Sequence, residues 1–302
     1  MIKLPRPYAD RVLYDEPMAR HTAARLGGPA DMLFVAKTNN DEFAAVVMAA
    51  WSRNIPVRVF GAGANVLVSD KGVRGLVVIS DVAEVTFDDW HEGRNVAVSG
   101  GMGLAVLARK CQAKGLSGLE WAVSVPGTVG GAVINNAGAH GSDIAANLCD
   151  VVVLDADRGI QLLTHEEMNY GYRTSTLKAR KDRRYLVLLA QFALTPENPE
   201  VILQRMEHNI AHRKQTQPPG ASLGSIFKNP PGDYAGRLIE AAGLKGYTIG
   251  GAQVSPVHAN FFINQNAATA TDYFALIQHV QQVVREHSGV TLEMEVELVG
   301  EW

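Results

Sequence analysis

A serine hydroxyl and its neighbours form the first group of residues that could do chemistry. Ser225 stands in residues 220–230, GASLGSIFKNP, between a glycine and an isoleucine, and Lys228 follows three positions later. No histidine occurs in the ten residues after Ser225, so a serine nucleophile with a nearby base is not indicated. The local sequence therefore leaves the role of this hydroxyl open.

Two glycine-rich loops could bind a bulky anion. The first loop covers residues 61–67, GAGANVL, and the second covers residues 126–131, PGTVGG. Small residues let the backbone approach a phosphate, and backbone N–H groups in such turns bind phosphate without a formal charge. The dinucleotide fingerprint GxGxxG fails at Val66, where its third glycine would stand, and strand-like residues follow instead of a helix. The two loops together predict a large phosphorylated cofactor.

The composition excludes several classes of function. Of the 302 residues, 47% are hydrophobic and 20% are charged, as in an ordinary soluble globular protein. A net charge of −3 gives no reason to expect nucleic acid as a partner. The N-terminus does not resemble a signal peptide, and no run of about 18 apolar residues predicts a membrane span. Cys111 and Cys149 lack CxxC partners, so we expect neither a disulfide nor a metal site, and we expect a cytoplasmic location.

The elements that must position these residues fall into three parts. A βαβ-type part covers residues 1–80, a mainly β part covers 81–200, and a third part covers 201–302. Apolar residues at helical spacing predict helices at 39–54, 104–115, 198–215, 233–243 and 270–289. Alternation predicts a terminal strand at 290–300, with Glu293, Glu295 and Glu297 on one face.

Six motifs of the chain resemble those of the UDP-N-acetylenolpyruvoylglucosamine reductase family and occur in the same order. The members of this family are flavoenzymes of peptidoglycan precursor synthesis. The six motifs are HTAARLGGPADMLFV (21–35), FGAGANVLVSDKGVRGLVV (60–78), GLSGLEWAVSVPGTVGGAVINNAGAHG (115–141), YGYRTS (170–175), GSIFKNP (224–230) and LEMEVELVG (292–300). The fold that this resemblance implies is α+β. It has a two-subdomain FAD-binding fold of the vanillyl-alcohol-oxidase/PCMH type and a smaller α/β substrate-binding domain.

The resemblance also implies a reaction and its residues. Bound FAD, NADPH as co-substrate and a UDP-sugar substrate are expected. Ser225 would protonate a carbon atom, while Arg173 and Glu295 would stabilise an enolate, Glu295 only when protonated or hydrogen-bonded. Implied substrate-binding residues are Tyr172, Arg213, Lys228 and Asn229. Implied FAD-binding residues are Gly61, Ala62, Gly63, Ala64, Asn65, Val66, Leu67, Pro126, Gly127, Thr128, Gly130, Gly131, Asn135, Ala137 and Gly138.

Alternatives remain open at this stage. Another FAD-dependent oxidoreductase on the same scaffold would keep both glycine loops but would not need Ser225, Arg173 and Glu295 together. A non-catalytic flavin-binding or nucleotide-sugar-binding module is a second alternative, and a Rossmann dehydrogenase, weakened by Val66, is a third. The chain departs from the family pattern at His140, where many relatives carry tyrosine, and also at Val257 and Met294. We expect a monomer, or at most weak association.

Overall fold

The chain forms two compact units, each built from separated stretches of sequence. The computed structural model describes Leu4, Arg6 and residues 8–88, 95–265 and 268–302. The first unit comprises Met1–Leu13, Met32–Ala62 and Gly75–His212, and the second comprises Tyr14–Asp31, Gly63–Arg74 and Arg213–Trp302. The division into residues 1–80, 81–200 and 201–302 stays a prediction.

Helices and strands of the described residues are numbered here in chain order. The α-helices are α1 (Asn40–Trp51), α2 (Leu104–Ala113), α3 (Val129–Asn135), α4 (His165–Met168), α5 (Thr176–Ala179), α6 (Pro199–Thr216), α7 (Ala235–Ala241) and α8 (Ala270–Ser288). The strands are β1 (Leu13–Pro17), β2 (Pro29–Ala36), β3 (Val57–Phe60), β4 (Val66–Val68), β5 (Val73–Ser80), β6 (Val85–Asp88), β7 (Asn95–Ser99), β8 (Leu116–Ser117), β9 (Gly138–Ala139), β10 (Ser142–Asp143), β11 (Leu148–Asp155), β12 (Gly159–Thr164), β13 (Tyr185–Ala193), β14 (Thr195–Pro196), β15 (Ala221–Ser225), β16 (Thr248–Ile249), β17 (Ala252–Val254), β18 (Phe261–Asn264) and β19 (Glu297–Val299).

A five-stranded antiparallel sheet organises the first unit, with strand order β12-β11-β13-β7-β6. Its strand β13 reads YLVLLAQFA, a nearly continuous apolar run. Such a run is typical of a strand that is covered on both faces. Val187 packs into a core with helix α2, whereas Leu186 and Leu188 pack into a second core with helix α1.

The first part of the chain contains a strand, a helix and a further strand in succession, namely β2, α1 and β3. Strands β2, β5 and β3 lie side by side, and β3 pairs with β5 in parallel. The side chain of Asn39 accepts a hydrogen bond from the Glu42 N–H group and so caps α1. Phe43, Val46 and Val47 of α1 are buried, as their helical spacing predicts.

The second unit has its own core, around an antiparallel sheet of order β15-β18-β17-β16. Helix α8 contributes its predicted stripe to this core, including the fully buried Tyr273, Leu276 and Ile277. A capping box formed by Thr269 and Asp272 begins the helix, and Gly289, with a φ of 74°, ends it. Strand β19 pairs in parallel with β4.

Two sequence-based assignments are wrong. The predicted terminal strand at 290–300 is regular only at Glu297–Val299; before that, Met294 forms a single bridge to Phe227. The alternation was real, because Leu292 and Val296 are buried, but an alternating pattern cannot tell a strand from an unpaired extended segment. The second glycine loop, predicted at 126–131, becomes a helix, α3, from Val129 onwards, although glycine disfavours helices.

Within the described ranges, none of the helices combines the length and the hydrophobicity that crossing a bilayer would require. The same residues contain no cluster of histidine, cysteine, aspartate or glutamate side chains suited to a metal ion. Cys111 is buried, Cys149 is half-buried, and both are free thiols.

Asp70 gives the second unit a pH-dependent contribution to stability. Its carboxylate accepts hydrogen bonds from the Ala270 and Thr271 N–H groups, at 2.9 and 2.8 Å, and from the Thr271 hydroxyl, at the start of α8. Partial burial opposes ionisation, but these hydrogen bonds outweigh it and lower the pKa of Asp70. Since the folded-state pKa is depressed, the stabilisation is complete above the unfolded pKa of about 3.9 and is lost as the pH falls through the folded value.

We therefore expect Asp70→Asn to lower the free energy of unfolding at pH 7 by about 1 kcal/mol, a value limited by the solvent exposure of Asp70. Denaturant unfolding of the variant and the parent between pH 7 and acid pH measures the difference. The difference should shrink as the pH falls below about 4. A difference that stays constant over this range would contradict the role given to the Asp70 charge.

Candidate active site

Ser225 is the last residue of strand β15. It is half-buried and pairs with Phe261 of β18. The pairing is irregular between Ser222 and Ser225, where Gly224 has a φ of 73°. This left-handed residue bends the strand just before the hydroxyl.

The chain after Ser225 pairs with the chain around Glu295. The Glu295 N–H group donates to the Ile226 carbonyl oxygen at 2.8 Å, and Phe227 forms an antiparallel bridge with Met294. In this register Glu295 lies opposite Ile226, the residue that follows Ser225. The structure thus places the backbone of Glu295 beside the residue that follows Ser225, so two of the three predicted catalytic residues lie in neighbouring segments.

Lys228 and Glu293 continue this register one step further. The Lys228 N–H group donates to the Glu293 carbonyl oxygen at 2.9 Å, and the two side chains form an ion pair at 2.6 Å. The Glu293 side chain is 72% exposed, whereas the Lys228 side chain is 19% exposed. The carboxylate of Glu293 is therefore engaged with Lys228 at the surface.

Asn65 of the first glycine loop contacts the glutamate segment directly. Its side-chain Nδ2 donates to the Glu295 carbonyl oxygen at 3.1 Å, and its own carbonyl oxygen accepts from the Glu297 N–H group at 3.0 Å. The sequence analysis placed Asn65 among the FAD-binding residues and did not predict this contact. The loop therefore holds the backbone of Glu295 in place.

Arg213 and Asn229 have defined local roles in the second unit. Arg213 lies in the last turn of α6 and is half-buried; this burial lowers the pKa of its guanidinium, which nonetheless stays charged at neutral pH. The Oδ1 atom of Asn229 accepts from the Ala235 N–H group at 3.1 Å, at the start of α7. Asn229 is thus held at a fixed position four residues after Ser225.

In the first unit, the second glycine loop packs against a third glycine-rich stretch, residues 100–103 (GGMG), which the sequence analysis did not single out. The Val129 and Gly130 N–H groups donate to the Met102 and Gly100 carbonyl oxygens, at 2.9 and 2.8 Å. Those two N–H groups therefore hold the loop itself, and an anion there would be bound by other donors. In the sequence, the closely spaced glycines of this stretch could have identified it as a further loop that contacts other backbone.

Gly61 of the first loop lies against Thr128 of the second. A Cβ atom on Gly61 would stand 2.1 Å from the Thr128 Oγ1 atom, so this contact requires glycine. At Gly127, where φ is 125°, the Cβ position has no described heavy atom within 4 Å. Neither loop carries an acidic residue. The open space and the neutral, small residues suit the diphosphate of a dinucleotide such as FAD.

Asn135 and its neighbours are more closely tied to the protein than the sequence indicated. The side chain of Asn135 donates to the Gly131 carbonyl oxygen at 2.8 Å and accepts from the ammonium of Lys178. The Ala137 N–H group donates to the end of α3, at the Ala132 carbonyl oxygen. These contacts fix the loop after α3.

The segment 170–175, YGYRTS, is fastened to the C-terminal end of α3. The Tyr170 hydroxyl donates to the Val133 carbonyl oxygen at 3.0 Å, and the Ser175 hydroxyl donates to the Ile134 carbonyl oxygen at 2.6 Å. Carbonyl groups at the end of a helix lack partners within the helix, so side chains from elsewhere must satisfy them. This requirement anchors the segment on both sides of Arg173.

Arg173 itself contacts the residues that follow α3. Its Nη1 and Nη2 atoms donate to the carbonyl oxygens of Asn136 and Gly138, at 3.2 and 2.7 Å. Its backbone has a φ of 56°, which is uncommon for a residue other than glycine, and its guanidinium lies 5.3 Å from the centre of the Tyr172 ring. The side chain is therefore held in one orientation by neutral acceptors and an aromatic neighbour.

Two protein-family models match the chain. The FAD binding domain matches residues 32–158. The C-terminal domain of UDP-N-acetylenolpyruvoylglucosamine reductase matches residues 215–299.

Curated relatives and a solved structure match almost the whole chain. The UDP-N-acetylenolpyruvoylglucosamine reductase of Bacillus pumilus is 42% identical over 294 residues, which cover 96% of this chain and 95% of the relative. That of Anoxybacillus flavithermus is 44% identical over 287 residues, covering 95% and 93%. The chain belongs to the UDP-N-acetylenolpyruvoylglucosamine reductase family. A crystal structure of this reductase from Thermus caldophilus, 34% identical, superposes with a TM-score of 0.82 and covers 96% of this chain and 99% of that one.

Membership of the UDP-N-acetylenolpyruvoylglucosamine reductase family confirms the main expectations from the sequence. The chain has the α+β FAD-binding fold and is an FAD-dependent oxidoreductase of peptidoglycan precursor synthesis, in a family that uses FAD and NADPH. The alternative of a non-catalytic binding module is thereby wrong. The roles of individual site residues stay predictions.

The contact between Gly61 and Thr128 leads to a test of the FAD site. Gly61→Ala would overpack the two loops, at a cost of about 1–3 kcal/mol, and should weaken FAD binding about tenfold. Because the clash is with the Thr128 side chain, the same change in a Thr128→Ala background should weaken FAD binding much less. Titration of the apoprotein with FAD, followed by flavin fluorescence, measures both effects. Equal effects in the two backgrounds would contradict the contact.

Proposed function

We propose that the chain reduces UDP-N-acetylglucosamine enolpyruvate to UDP-N-acetylmuramate with electrons from NADPH. The names of the relatives support this proposal, as does the match of residues 215–299 to the family's C-terminal domain. The observation that carries it is the hydrogen bond from the Glu295 N–H group to the Ile226 carbonyl oxygen, which places the segment of Glu295 beside the residue that follows Ser225 in the second unit.

The two glycine loops and the segment after α3 would hold FAD. Its proposed contacts are the residues named in the sequence analysis, from Gly61 to Leu67 and from Pro126 to Gly138. Bound FAD, once reduced by NADPH, supplies the hydride. The 302 residues would then fall into two FAD-binding parts and one substrate-binding part, with limits near residues 80 and 200.

Two side chains would stabilise the charge that develops on the substrate. An enol ether is electron-rich, and the carboxylate of the enolpyruvyl group is the electron sink that its reduction requires. Arg173 offers a planar, permanently charged guanidinium that matches a carboxylate. Glu295 in its neutral form would donate a hydrogen bond to the same group. Such oriented donors typically contribute about 10²–10³ in rate each.

Ser225 would complete the reaction by protonating a carbon atom. Its hydroxyl donates the proton, so no histidine base is required. The ammonium of Lys228, three residues away, would favour the departure of the proton, although the pairing with Glu293 reduces its effective charge. Formation of the C–H bonds by hydride and proton addition converts the enolpyruvyl ether to a lactyl ether.

Four further residues would bind the nucleotide sugar. Arg213 and Lys228 supply positive charge for the phosphates, Asn229 supplies an amide, and Tyr172 lines the pocket. We also propose a cytoplasmic location, which the free thiols of Cys111 and Cys149 support, and a monomeric state.

Ser225→Ala should separate the two half-reactions. We expect reduction of the bound flavin by NADPH at the parent rate, and a loss of at least about a hundredfold in its reoxidation by the enolpyruvyl UDP-sugar. Anaerobic stopped-flow absorbance of the flavin measures both steps. Ser222→Ala, on the same strand, is the matched control and should behave as the parent. If Ser225→Ala were reoxidised at the parent rate, the proton donor would be another group.

Substitutions of the glutamates test whether Glu295 acts in its neutral form. Glu295→Ala should slow flavin reoxidation by about 10²–10³, because the donor that Glu295 supplies is lost. Glu295→Gln should slow it less, since an amide donates a hydrogen bond as a protonated carboxyl does. Glu293→Gln, which changes an exposed carboxylate, should alter the rate less than about threefold. An equal loss for Glu295→Gln and Glu295→Ala would rule out the donor role.

A further inference from the structure

A buried asparagine braces the segment that follows Ser225. Asn260 is 3% exposed. Its Oδ1 atom accepts from the Phe227 N–H group at 3.0 Å, and its Nδ2 atom donates to the Phe227 carbonyl oxygen at 2.8 Å. Its own carbonyl oxygen accepts from the Ile226 N–H group at 2.9 Å. One residue thus binds three of the four backbone polar groups of Ile226 and Phe227.

The side chain of Asn260 pairs with backbone groups that have no partner strand at this point of the sheet. The ladder between β15 and β18 ends at Ser225 and Phe261. Beyond it, the Phe227 N–H and C=O groups face the side chain of Asn260, and on the opposite edge the Ile226 carbonyl oxygen accepts from Glu295. Without the amide, two buried backbone groups of Phe227 would lose their partners and the segment would shift to recover them.

Asn260 is itself held on its backbone side. Its N–H group donates to the Nδ1 atom of His258 at 3.2 Å, so in this contact Nδ1 carries no proton and the neutral ring is protonated at Nε2. His258 in turn lies with its ring 4.9 Å from that of Phe261, at a steep angle. The backbone of Asn260 is therefore held in a turn just before β18, and this fixes the origin of its side chain.

We infer that Asn260 is a positioning residue for the reductase reaction: it sets the places of Ser225 and Glu295 through the backbone of residues 226–227. The inference rests on the proposed function. Asn260 contacts neither reacting atoms nor predicted catalytic side chains in the described contacts; it acts through the two peptide groups that join Ser225 to the register with Glu295. Displacement of a catalytic group by about 1 Å can cost about a hundredfold in rate.

Asn260→Asp tests this inference. The substitution keeps the size and the acceptor but turns the donor into a carboxylate oxygen facing the Phe227 carbonyl oxygen. At neutral pH we expect reoxidation of the reduced holoenzyme by saturating enolpyruvyl UDP-sugar to slow about 10- to 100-fold, with flavin reduction by NADPH unchanged. As the pH falls, the carboxyl becomes protonated and can donate again, so the rate relative to the parent should rise. Hydrogen exchange of the peptide containing Ile226 and Phe227 should also accelerate.

Asn264→Asp is the matched control. Asn264, at the far end of β18, also uses its amide once as donor and once as acceptor. It donates to the Ala24 carbonyl oxygen at 2.9 Å and accepts from the Ala268 N–H group at 3.0 Å, away from Ser225. The Asn264→Asp variant should show flavin reduction and flavin reoxidation at close to the parent rates at every pH. If Asn260→Asp fails to fold, Asn260→Ser, which removes the brace without adding charge, must show the same selective loss.

Two outcomes would overturn the inference while leaving the proposed function intact. One is parent-like reoxidation of Asn260→Asp, and the other is an equal loss in Asn260→Asp and Asn264→Asp or in both half-reactions. Failure of the parent holoenzyme to be reoxidised by the UDP-sugar would instead overturn the proposed function, and this inference with it.

Discussion

The backbone of residues 226–228 must find hydrogen-bond partners on two edges, because Ile226 and Phe227 are fully buried. On one edge the partners come from Asn260, and on the other from the chain around Glu295. Ser225 immediately precedes this doubly paired segment. Its position is therefore set by the core of the second unit, which gives a more rigid placement than a surface loop would.

The same constraint explains what the sequence could not predict about the site. Phe227 and Asn260 are 33 residues apart, and Asn65 and Glu295 are 230 residues apart. Local patterns report the exposure and periodicity of a segment, but they carry no information on which distant segment lies beside it. The motifs identified Ser225 and Glu295 as candidates, whereas the register that places their segments side by side needed the structure.

The fold was predictable wherever a long element has one buried face. The spacing of apolar residues predicts helices α1, α2, α6 and α8, because the side chains that face a core recur with the helical period. Helix α3 was missed because Gly130 and Gly131 weaken its intrinsic propensity, while the contact of Gly130 with Gly100 that favours it is non-local. Strand β15 was missed because GASLGS lacks a clear alternation, and its pairing with β18 supplies the order instead.

In each of the two units, a buried asparagine side chain holds the backbone near a predicted catalytic residue. Asn136 and Asn260 are the fully buried asparagines of the described residues, each 3% exposed. Asn136 donates to the Gly171 carbonyl oxygen at 3.0 Å, two residues before Arg173, as Asn260 braces Phe227 two residues after Ser225. A neutral amide offers a donor and an acceptor together, and burying it costs far less than burying a charge. It can therefore fix the backbone beside a catalytic group without adding a charge that would perturb the group's own proton equilibrium.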